Sequence, residues 1–336
     1  MQSGNFKVTR PSVLVLASDA LFPHFFSEES QKKLAEVTEW RRCSLREDSS
    51  ELRRELANAD VLMTTWHAPF LTKEMLSPGT RVKLIAHCGG EVKSRVEEEV
   101  FAYVTVTNAA DPMARGVAEM ALALVLTSVR RIPDYAAAMR AGEVHTNAEV
   151  SQGETLFGRT IGLVGYGRIG RAFAQLIKPF DVDLLISDPY AKNIEGAATF
   201  VDLDNLVSSC SVIVLAAALT SETRHLISEQ RLASMANGTF LINVARGGLI
   251  DLEALLVELR NKRITAALDV TDPLEPLPPD HELRRLSNVI LTPHIAAGGI
   301  EMRREIGALA VSEVVRFASG LPPVNPVTRE MLATMT

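Results

Sequence analysis

Three glycines with the spacing G-x-G-x-x-G lie between a predicted strand, Thr160–Val164, and a predicted helix, Arg168–Lys178. In a strand–turn–helix of this kind the first glycine allows a tight turn, the second lets the backbone approach a pyrophosphate, and the third lets helix and strand pack closely. The helix N-terminus adds N–H groups that attract an anion. A bare glycine turn is the alternative. Because strand and helix patterns flank the glycines on both sides, we expect a dinucleotide site with contacts from Gly165, Gly167, Arg168, Ile169 and Gly170.

Asp188 directly follows the next predicted strand, Leu184–Ser187. It comes about 20 residues after Gly167, the separation at which a carboxylate binds a ribose 2′-hydroxyl. A turn or helix-capping aspartate before Pro189 is the alternative. Since a carboxylate repels a 2′-phosphate, Asp188 predicts NAD as the cofactor in preference to NADP.

Apolar, β-branched runs alternate with helical patterns along most of the chain. A long helix, Ala114–Arg131, and a polar linker separate two such series. The alternation predicts an α/β protein with two doubly wound parallel-sheet domains, the larger of them a Rossmann dinucleotide-binding domain. The first series has strands at Val13–Ala17, Val61–Thr65, Val82–His87 and Val104–Asn108 and helices at Ser27–Val37 and Ser49–Ala59; the second has strands at Thr160–Val164, Leu184–Ser187, Val212–Ala216, Phe240–Val244, Thr265–Val270 and Val289–Thr292 and a last helix at Glu301–Ala318.

Composition narrows the class of protein. The 336 residues include 47% hydrophobic residues and carry a formal net charge of -6, so the chain can bury sizeable cores and has no global basic excess for nucleic acid. Its three cysteines, Cys43, Cys88 and Cys210, are odd in number and widely spaced, which favours reduced thiols in a cytoplasm. No apolar run approaches the ~18 residues of a membrane helix, so we expect no membrane partner. Because the chain has no basic excess, we expect no nucleic-acid partner either.

Three polar residues follow three late strands of the second series. Arg246 follows Phe240–Val244, Glu275 lies in the loop after Thr265–Val270, and His294 follows Val289–Thr292. Each has a plain alternative as a solvated arginine, a loop carboxylate or a strand-end histidine. Because open α/β sheets bind ligands beyond the carboxyl ends of their strands, we expect the three side chains at one catalytic edge.

Their chemistry suits hydride transfer. When a nicotinamide exchanges hydride with a carbon, the oxygen on that carbon must exchange a proton, and histidine carries protons near neutrality. A nearby carboxylate stabilises the protonated imidazole. An arginine fork binds a substrate carboxylate bidentately and polarises the adjacent carbonyl.

With these motifs, the chain resembles the D-isomer-specific 2-hydroxyacid dehydrogenase family over nearly its whole length. The resemblance rests on the glycine fingerprint, Asn243–Asp251, Ala267–Val270 with Glu275–Leu277, and Leu291–Ile295. It implies that Arg246 binds a 2-oxo acid or D-2-hydroxy acid, that Glu275 supports His294, and that His294 is the acid/base. It also implies cofactor contacts from Val244 and Ala245, and an Asp269 that holds the nicotinamide carboxamide.

The same resemblance implies a domain organisation. Residues 1–107 plus 298–336 are expected to form a flavodoxin-like substrate domain, and 108–297 the NAD-binding domain, through which homodimers form. Cys88, Gly89 and Gly90 fall where the family presents backbone N–H groups to the substrate carboxylate, although a simple strand-ending turn is the alternative. Trp66 and His67 either line the substrate pocket or are a packed tryptophan and a surface histidine.

The chain also departs from the family pattern. Ala216 and Ala218 replace a frequent histidine and proline, and His87–Lys93 replaces the commoner glycine–aspartate segment, which leaves the substrate open. Phosphoglycerate dehydrogenase-like activity is an alternative, as is a non-catalytic NAD(H)-sensing module. A formate dehydrogenase-like activity is disfavoured, because that branch carries glutamine in place of Glu275.

Overall fold

The computed structural model describes residues 10–143, 153–191 and 198–335. Its internal contacts divide the chain into two compact units. Unit 1 runs to Met113 and resumes at Gly299, and unit 2 runs from Ala114 to Gly298. Both divisions fall within six residues of the boundaries expected from the sequence.

The secondary structure alternates as the sequence indicates. Up to the long helix α4, strands β1 to β5 are Ser12–Leu16, Glu39–Cys43, Val61–Thr64, Leu84–His87 and Thr105–Thr107, and helices α1 to α4 are Phe22–Phe25, Glu28–Val37, Ser50–Ala57 and Ala110–Val129. In the middle of the chain, helices α5 to α9 are Ile132–Arg140, Arg168–Ile177, Leu203–Ser209, Glu229–Ser234 and Leu252–Arg260, and strands β6 to β12 are Thr160–Val164, Asp183–Ser187, Thr199–Phe200, Val212–Leu215, Thr239–Asn243, Ile264–Leu268 and Val289–Leu291. The chain ends with α10, Ile300–Ala318, and β13, Pro326–Val327. Short 3₁₀ helices cover Glu98–Ala102, Lys178–Phe180, Gly247–Leu249, Glu282–Arg285 and Glu330–Thr334.

Unit 1 is built on a six-stranded sheet in the order β13-β5-β4-β3-β1-β2. All its pairs are parallel except β13 with β5. Alternate residues of β1 pack into different apolar clusters, Val13 and Val15 on one face and Leu14 and Leu16 on the other. The sheet is therefore buried on both faces, as parallel sheets require, and its order 2-1-3-4-5 is that of a flavodoxin-like domain.

Unit 2 holds a seven-stranded parallel sheet in the order β12-β11-β10-β9-β6-β7-β8. Numbered within the unit, this is 3-2-1-4-5-6 with one more strand, the Rossmann order. Val212 and Val214 of β9 face one cluster, while Ile213 and Leu215 face the other. The predicted fold, two doubly wound parallel-sheet domains, is confirmed.

Side-chain caps set several helix starts. Ser27 accepts the N–H of Ser30 to cap α2, and Ser49 accepts that of Leu52 to cap α3. In unit 2, Asp251 caps α9 by accepting the N–H of Ala254. Such caps satisfy N–H groups that have no partner inside the helix.

The structure corrects several sequence expectations. β2 was not predicted, because Glu39–Cys43 carries charged residues and lies at the sheet edge, where polar side chains reach solvent. The expected polar linker begins with helix α5, and its residues 144–152 lie outside the described residues. α4 begins at Ala110, four residues before the predicted start.

By length and composition α4 is apolar enough to cross a membrane. The core helix of a globular unit passes the same test, and Val117, Ala121, Val125 and Val129 of α4 belong to the core of unit 2. The helix is thus weak evidence for a membrane span.

Candidate active site

The glycine fingerprint forms the turn between β6 and α6. Gly165 has φ +95, a left-handed value that favours glycine, and a Cβ there would lie 2.6 Å from the backbone nitrogen of Ala217. A Cβ on Gly170 would collide with the carbonyl oxygen of Gly165. The first and third glycines are therefore required by the tight turn and by the close packing of helix on strand.

The middle glycine has another environment. Gly167 is the N-cap of α6, has no side-chain cap, and has no described atom within 4 Å of where its Cβ would be. Arg168, Ile169 and Gly170 follow as the first turn of α6. This open backbone at a helix N-terminus suits the pyrophosphate of a dinucleotide.

Asp188 lies at the end of β7, beside that turn. Its Oδ2 accepts the N–H of Tyr166 at 2.6 Å, and its Oδ1 accepts those of Tyr190 and Ala191 at 2.8 and 3.0 Å. The carboxylate is thus both a turn aspartate and a link to the fingerprint. Because the side chain is only partly buried and Oδ2 accepts a single N–H, that oxygen has a further lone pair for a ribose hydroxyl.

Arg246 follows β10 in a loop held by a buried asparagine. Asn243 accepts the N–H of Ala245 at 3.0 Å and donates to the carbonyl of Arg246 at 2.9 Å. Val244 and Ala245 are buried, while Arg246 is half-buried and donates from Nη1 to the Ala245 carbonyl. This role of Asn243 was not predicted, because only its position at a strand end indicates it.

A glycine brings the arginine loop against the glutamate loop. A Cβ on Gly247 would collide with the backbone of Thr271, so the loops after β10 and β11 touch at this point. Glu275 lies four residues beyond Thr271. Only a glycine permits this approach.

Glu275 and His294 meet directly. His294 Nδ1 lies 3.2 Å from Glu275 Oε2. The side chain of Glu275 is 39% exposed and that of His294 is 46% exposed. With Nδ1 facing the carboxylate, Nε2 is the nitrogen available to a ligand. The arrangement is that of an acid/base histidine oriented by a carboxylate.

Asp269 organises the loop that carries His294. The residue is 1% exposed, and its carboxylate accepts the Thr292 hydroxyl and the N–H groups of Ile295 and Ala296, at 2.5, 3.0 and 2.9 Å. Its carbonyl accepts the N–H of His294 at 2.8 Å. These contacts hold His294 at φ +53, a conformation that non-glycine residues adopt only when their surroundings enforce it.

In unit 1, Cys88, Gly89 and Gly90 form the turn after β4. Cys88 is buried and its N–H donates to Thr64, while the N–H of Gly89 donates to His87. Among the described residues, the N–H of Gly90 meets no acceptor. Of the three candidate substrate contacts, Gly90 therefore presents an open backbone donor.

No group of histidine, cysteine, aspartate and glutamate within the described ranges is arranged to hold a metal. The polar groups of unit 2 instead fit an organic dinucleotide and a proton-transfer pair. The residues that hold the loops in place, Asn243, Asp269 and Thr292, carry no catalytic signal of their own in the sequence.

Comparisons with known proteins agree with this geometry. The model of the NAD-binding domain of D-isomer-specific 2-hydroxyacid dehydrogenases matches residues 122–296. A glyoxylate reductase of Thermofilum pendens is 35% identical over 290 residues, covering 84% of this chain and 85% of that protein. A hydroxypyruvate reductase of Thermotoga maritima is 33% identical over 275 residues, which cover 80% of this chain and 88% of that protein. The crystal structure of the TT0316 protein of Thermus thermophilus is 32% identical and superposes with a TM-score of 0.80 over 94% of this chain and 100% of that one.

Proposed function

Because the chain belongs to the D-isomer-specific 2-hydroxyacid dehydrogenase family, we propose that it is an NAD-dependent oxidoreductase that interconverts a 2-oxo acid and a D-2-hydroxy acid. The observation that carries this proposal is the 3.2 Å contact of His294 Nδ1 with Glu275 Oε2 in the unit that also holds the glycine fingerprint. His294 has a strained backbone in a loop held by three hydrogen bonds to Asp269. An ion pair that only stabilised the fold would not require this strain, which is typical of functional sites.

Gly165, Gly167 and Gly170 would receive the pyrophosphate of NAD, and Asp188 its adenosine ribose. When bound, NADH supplies the hydride. The open N-cap at Gly167 and the half-exposed Asp188 carboxylate support this placement. The carboxylate also disfavours a 2′-phosphate, hence NADPH.

His294 transfers the proton in the proposed reaction. In reduction it enters as imidazolium, gives the proton on Nε2 to the oxygen of the substrate, and leaves neutral; oxidation reverses these steps. Glu275 stabilises the imidazolium through Nδ1 and keeps the ring oriented. Arg246 binds the substrate carboxylate through its guanidinium fork.

The relatives named glyoxylate reductase and hydroxypyruvate reductase support small 2-oxo acids as substrates. The test is oxidation of NADH by purified protein with a panel of 2-oxo acids that includes glyoxylate and hydroxypyruvate. We expect turnover, and a loss of roughly 10²- to 10⁴-fold in His294→Ala, the usual scale of general acid–base catalysis. His225→Asn, which changes an exposed histidine of the same unit, is the matched control. Tight NADH binding without reduction of any acid would instead establish an NAD(H)-sensing module.

A homodimer formed through unit 2 is part of the same proposal. Helix α5 supports it, because in the described structure none of its residues is buried and it exposes Ile132 and Met139 to 54% and 63%. Exposed apolar side chains on a helix of this length favour a protein partner.

A cytoplasmic location is likewise proposed. All three cysteines are buried and carry free thiols, as expected of a chain that folds under reducing conditions. Fractionation of the host cells would test it.

A further inference from the structure

One hydrogen bond joins the two loops on either side of the fingerprint turn. The phenol of Tyr190, two residues after Asp188, donates to Glu222 Oε2 at 3.2 Å. Tyr190 follows β7 and Glu222 follows β9, the two strands that flank β6 in the sheet. Because a dinucleotide binds beyond the carboxyl end of β6, this hydrogen bond crosses the place where the adenosine half enters.

The loop that carries Tyr190 is held at its base. Asp188 Oδ1 accepts the backbone N–H groups of Tyr190 and Ala191 at 2.8 and 3.0 Å. Through Oδ2 the same carboxylate accepts the N–H of Tyr166 in the fingerprint. The residue to which we assign the ribose therefore also fixes the backbone that carries the Tyr190 ring.

The loop that carries Glu222 is ordered by two hydroxyls. Thr220 Oγ1 accepts the N–H groups of Glu222 and Thr223 at 3.2 and 3.3 Å. Thr223 Oγ1 donates to the carbonyl of Ala218 at 2.7 Å. Contacts between exposed side chains usually lose much of their free energy to the ordering of both partners. Since both backbones are already fixed here, less ordering is needed to form the hydrogen bond between Tyr190 and Glu222.

The Tyr190 ring is held in solvent rather than in a core. The residue is 70% exposed, and within the described residues the apolar clusters of unit 2 do not include it. The charge of Glu222 and its hydrogen bond, with smaller effects from desolvation and from the charge of Asp188, raise the pKa of the phenol. The ring is therefore a neutral donor, and such an amphipathic ring can cover a nucleoside while its hydroxyl keeps a polar partner.

We propose that Tyr190 and Glu222 form a clasp over the adenosine half of NAD(H) that limits how fast the cofactor enters and leaves. The inference rests on the proposed placement of the cofactor, in which the fingerprint receives the pyrophosphate and Asp188 the ribose. The clasp is closed in the structure, so the phenol must leave Glu222 before a dinucleotide can enter and again before it can leave. The clasp therefore slows both steps.

The test follows the fluorescence of NADH by stopped flow. Mixing NADH with the purified protein gives the association rate constant, and displacement by excess NAD⁺ gives the dissociation rate constant. Tyr190→Phe keeps the ring but removes the hydroxyl, so both rate constants should rise by roughly 3- to 10-fold, the scale of one hydrogen bond. The dissociation constant, which is their ratio, should stay near its wild-type value.

Glu222→Ala removes the acceptor and should also speed dissociation. Loss of a negative charge alone would instead slow the dissociation of an anionic cofactor, so the direction of the change identifies the clasp. Because both residues act through one hydrogen bond, dissociation from the double variant should be no faster than from Tyr190→Phe. Glu229→Ala, at an exposed carboxylate on α8, is the matched control and should not speed dissociation.

The outcomes separate this proposal from the enzymatic function. If Tyr190→Phe speeds both steps while wild type reduces no 2-oxo acid, the clasp stands and the enzymatic function fails. If 2-oxo acids are reduced while Tyr190→Phe binds and releases NADH at wild-type rates, the clasp is refuted and the enzymatic function stands. Faster dissociation with unchanged association also refutes the clasp, because Tyr190 would then only contact the bound cofactor. Failure of wild type to bind NADH would refute both proposals.

Discussion

At the scale of single residues, the Glu275–His294 pair fixes the orientation of the acid/base ring. Because both side chains are more than a third exposed, their contact contributes little to stability. Its effect is on geometry, since a carboxylate at Nδ1 leaves Nε2 as the nitrogen available to a ligand.

Replacing Glu275 by Gln keeps the shape but exchanges a charged hydrogen-bond partner of His294 for a neutral one. Because hydrogen bonds to charged groups are the stronger ones, the ring should be held less firmly, and kcat should fall by roughly tenfold in both directions with KM for NADH near its wild-type value. The measurement is steady-state kinetics in both directions. Glu282→Gln, which changes an exposed carboxylate paired with Arg260, is the control. An unchanged kcat in Glu275→Gln would mean that Glu275 is only a loop residue.

His87 gives a second prediction, on stability. Burial, with a smaller contribution from Arg95, lowers its pKa to about 3 from 6.5. Between these values the unfolded chain binds a proton that the folded chain does not, so stability is full above pH 6.5 and falls as the pH decreases. The loss attributable to His87 should be about 1.4 kcal/mol per pH unit.

Both tryptophans lie in unit 1 with His87, so urea unfolding followed by tryptophan fluorescence reports on that unit. Between about pH 7.5 and 5.5, wild type should lose about 1.4 kcal/mol more than His87→Asn. Equal losses in the two proteins would show that His87 is protonated in the folded unit.

At the scale of elements, the decisive feature is the loop that leads from β12 through His294. Asp269, at the end of β11, accepts two N–H groups and a hydroxyl from this loop. One strand end therefore fixes the geometry of the next, and the strained backbone of His294 is maintained by a neighbouring strand.

Asp269→Asn should disturb this loop, because an amide nitrogen cannot accept the N–H of Ala296. If Asp269 positions His294, kcat should fall by roughly tenfold or more, the scale of a lost charged hydrogen bond, with KM for NADH near its wild-type value. Thr292→Val, which removes one of the three contacts, should cause a smaller loss of the same kind. A raised KM for NADH with an unchanged kcat would assign Asp269 to the cofactor instead.

At the scale of the whole molecule, the proposed homodimer depends on α5. Ile132→Asp combined with Met139→Glu places charges on its exposed apolar positions. Because burying charge opposes association, sedimentation should show a shift from dimer to monomer. Val257→Glu, at a position on α9 that is 50% exposed, is the matched control. A double variant that remains dimeric would place the interface elsewhere.

The sequence predicted the elements whose signals are local. Thr160–Val164 matches its predicted bounds, because an apolar β-branched run followed by glycines predicts a buried strand that ends in a turn. β2 was missed since its charged sequence resembles a loop, and a strand at a sheet edge needs no apolar alternation. α5 was missed because it follows the long helix directly and was included in the expected linker. Asp188 was predicted from its spacing, whereas its bond to Tyr166 was not.

The sequence by itself therefore determined two α/β series, a dinucleotide fingerprint, and the order of arginine, glutamate and histidine at strand ends, because residue type, periodicity and spacing encode these directly. The family resemblance implied that Glu275 supports His294, and the structure gives their 3.2 Å contact. Only the tertiary structure decided that the Asp269 carboxylate holds the His294 loop and that Arg303 stacks on Trp66, because both contacts join separate segments. Loop conformation and the packing of distant helices set such contacts, and no pattern along the chain records them.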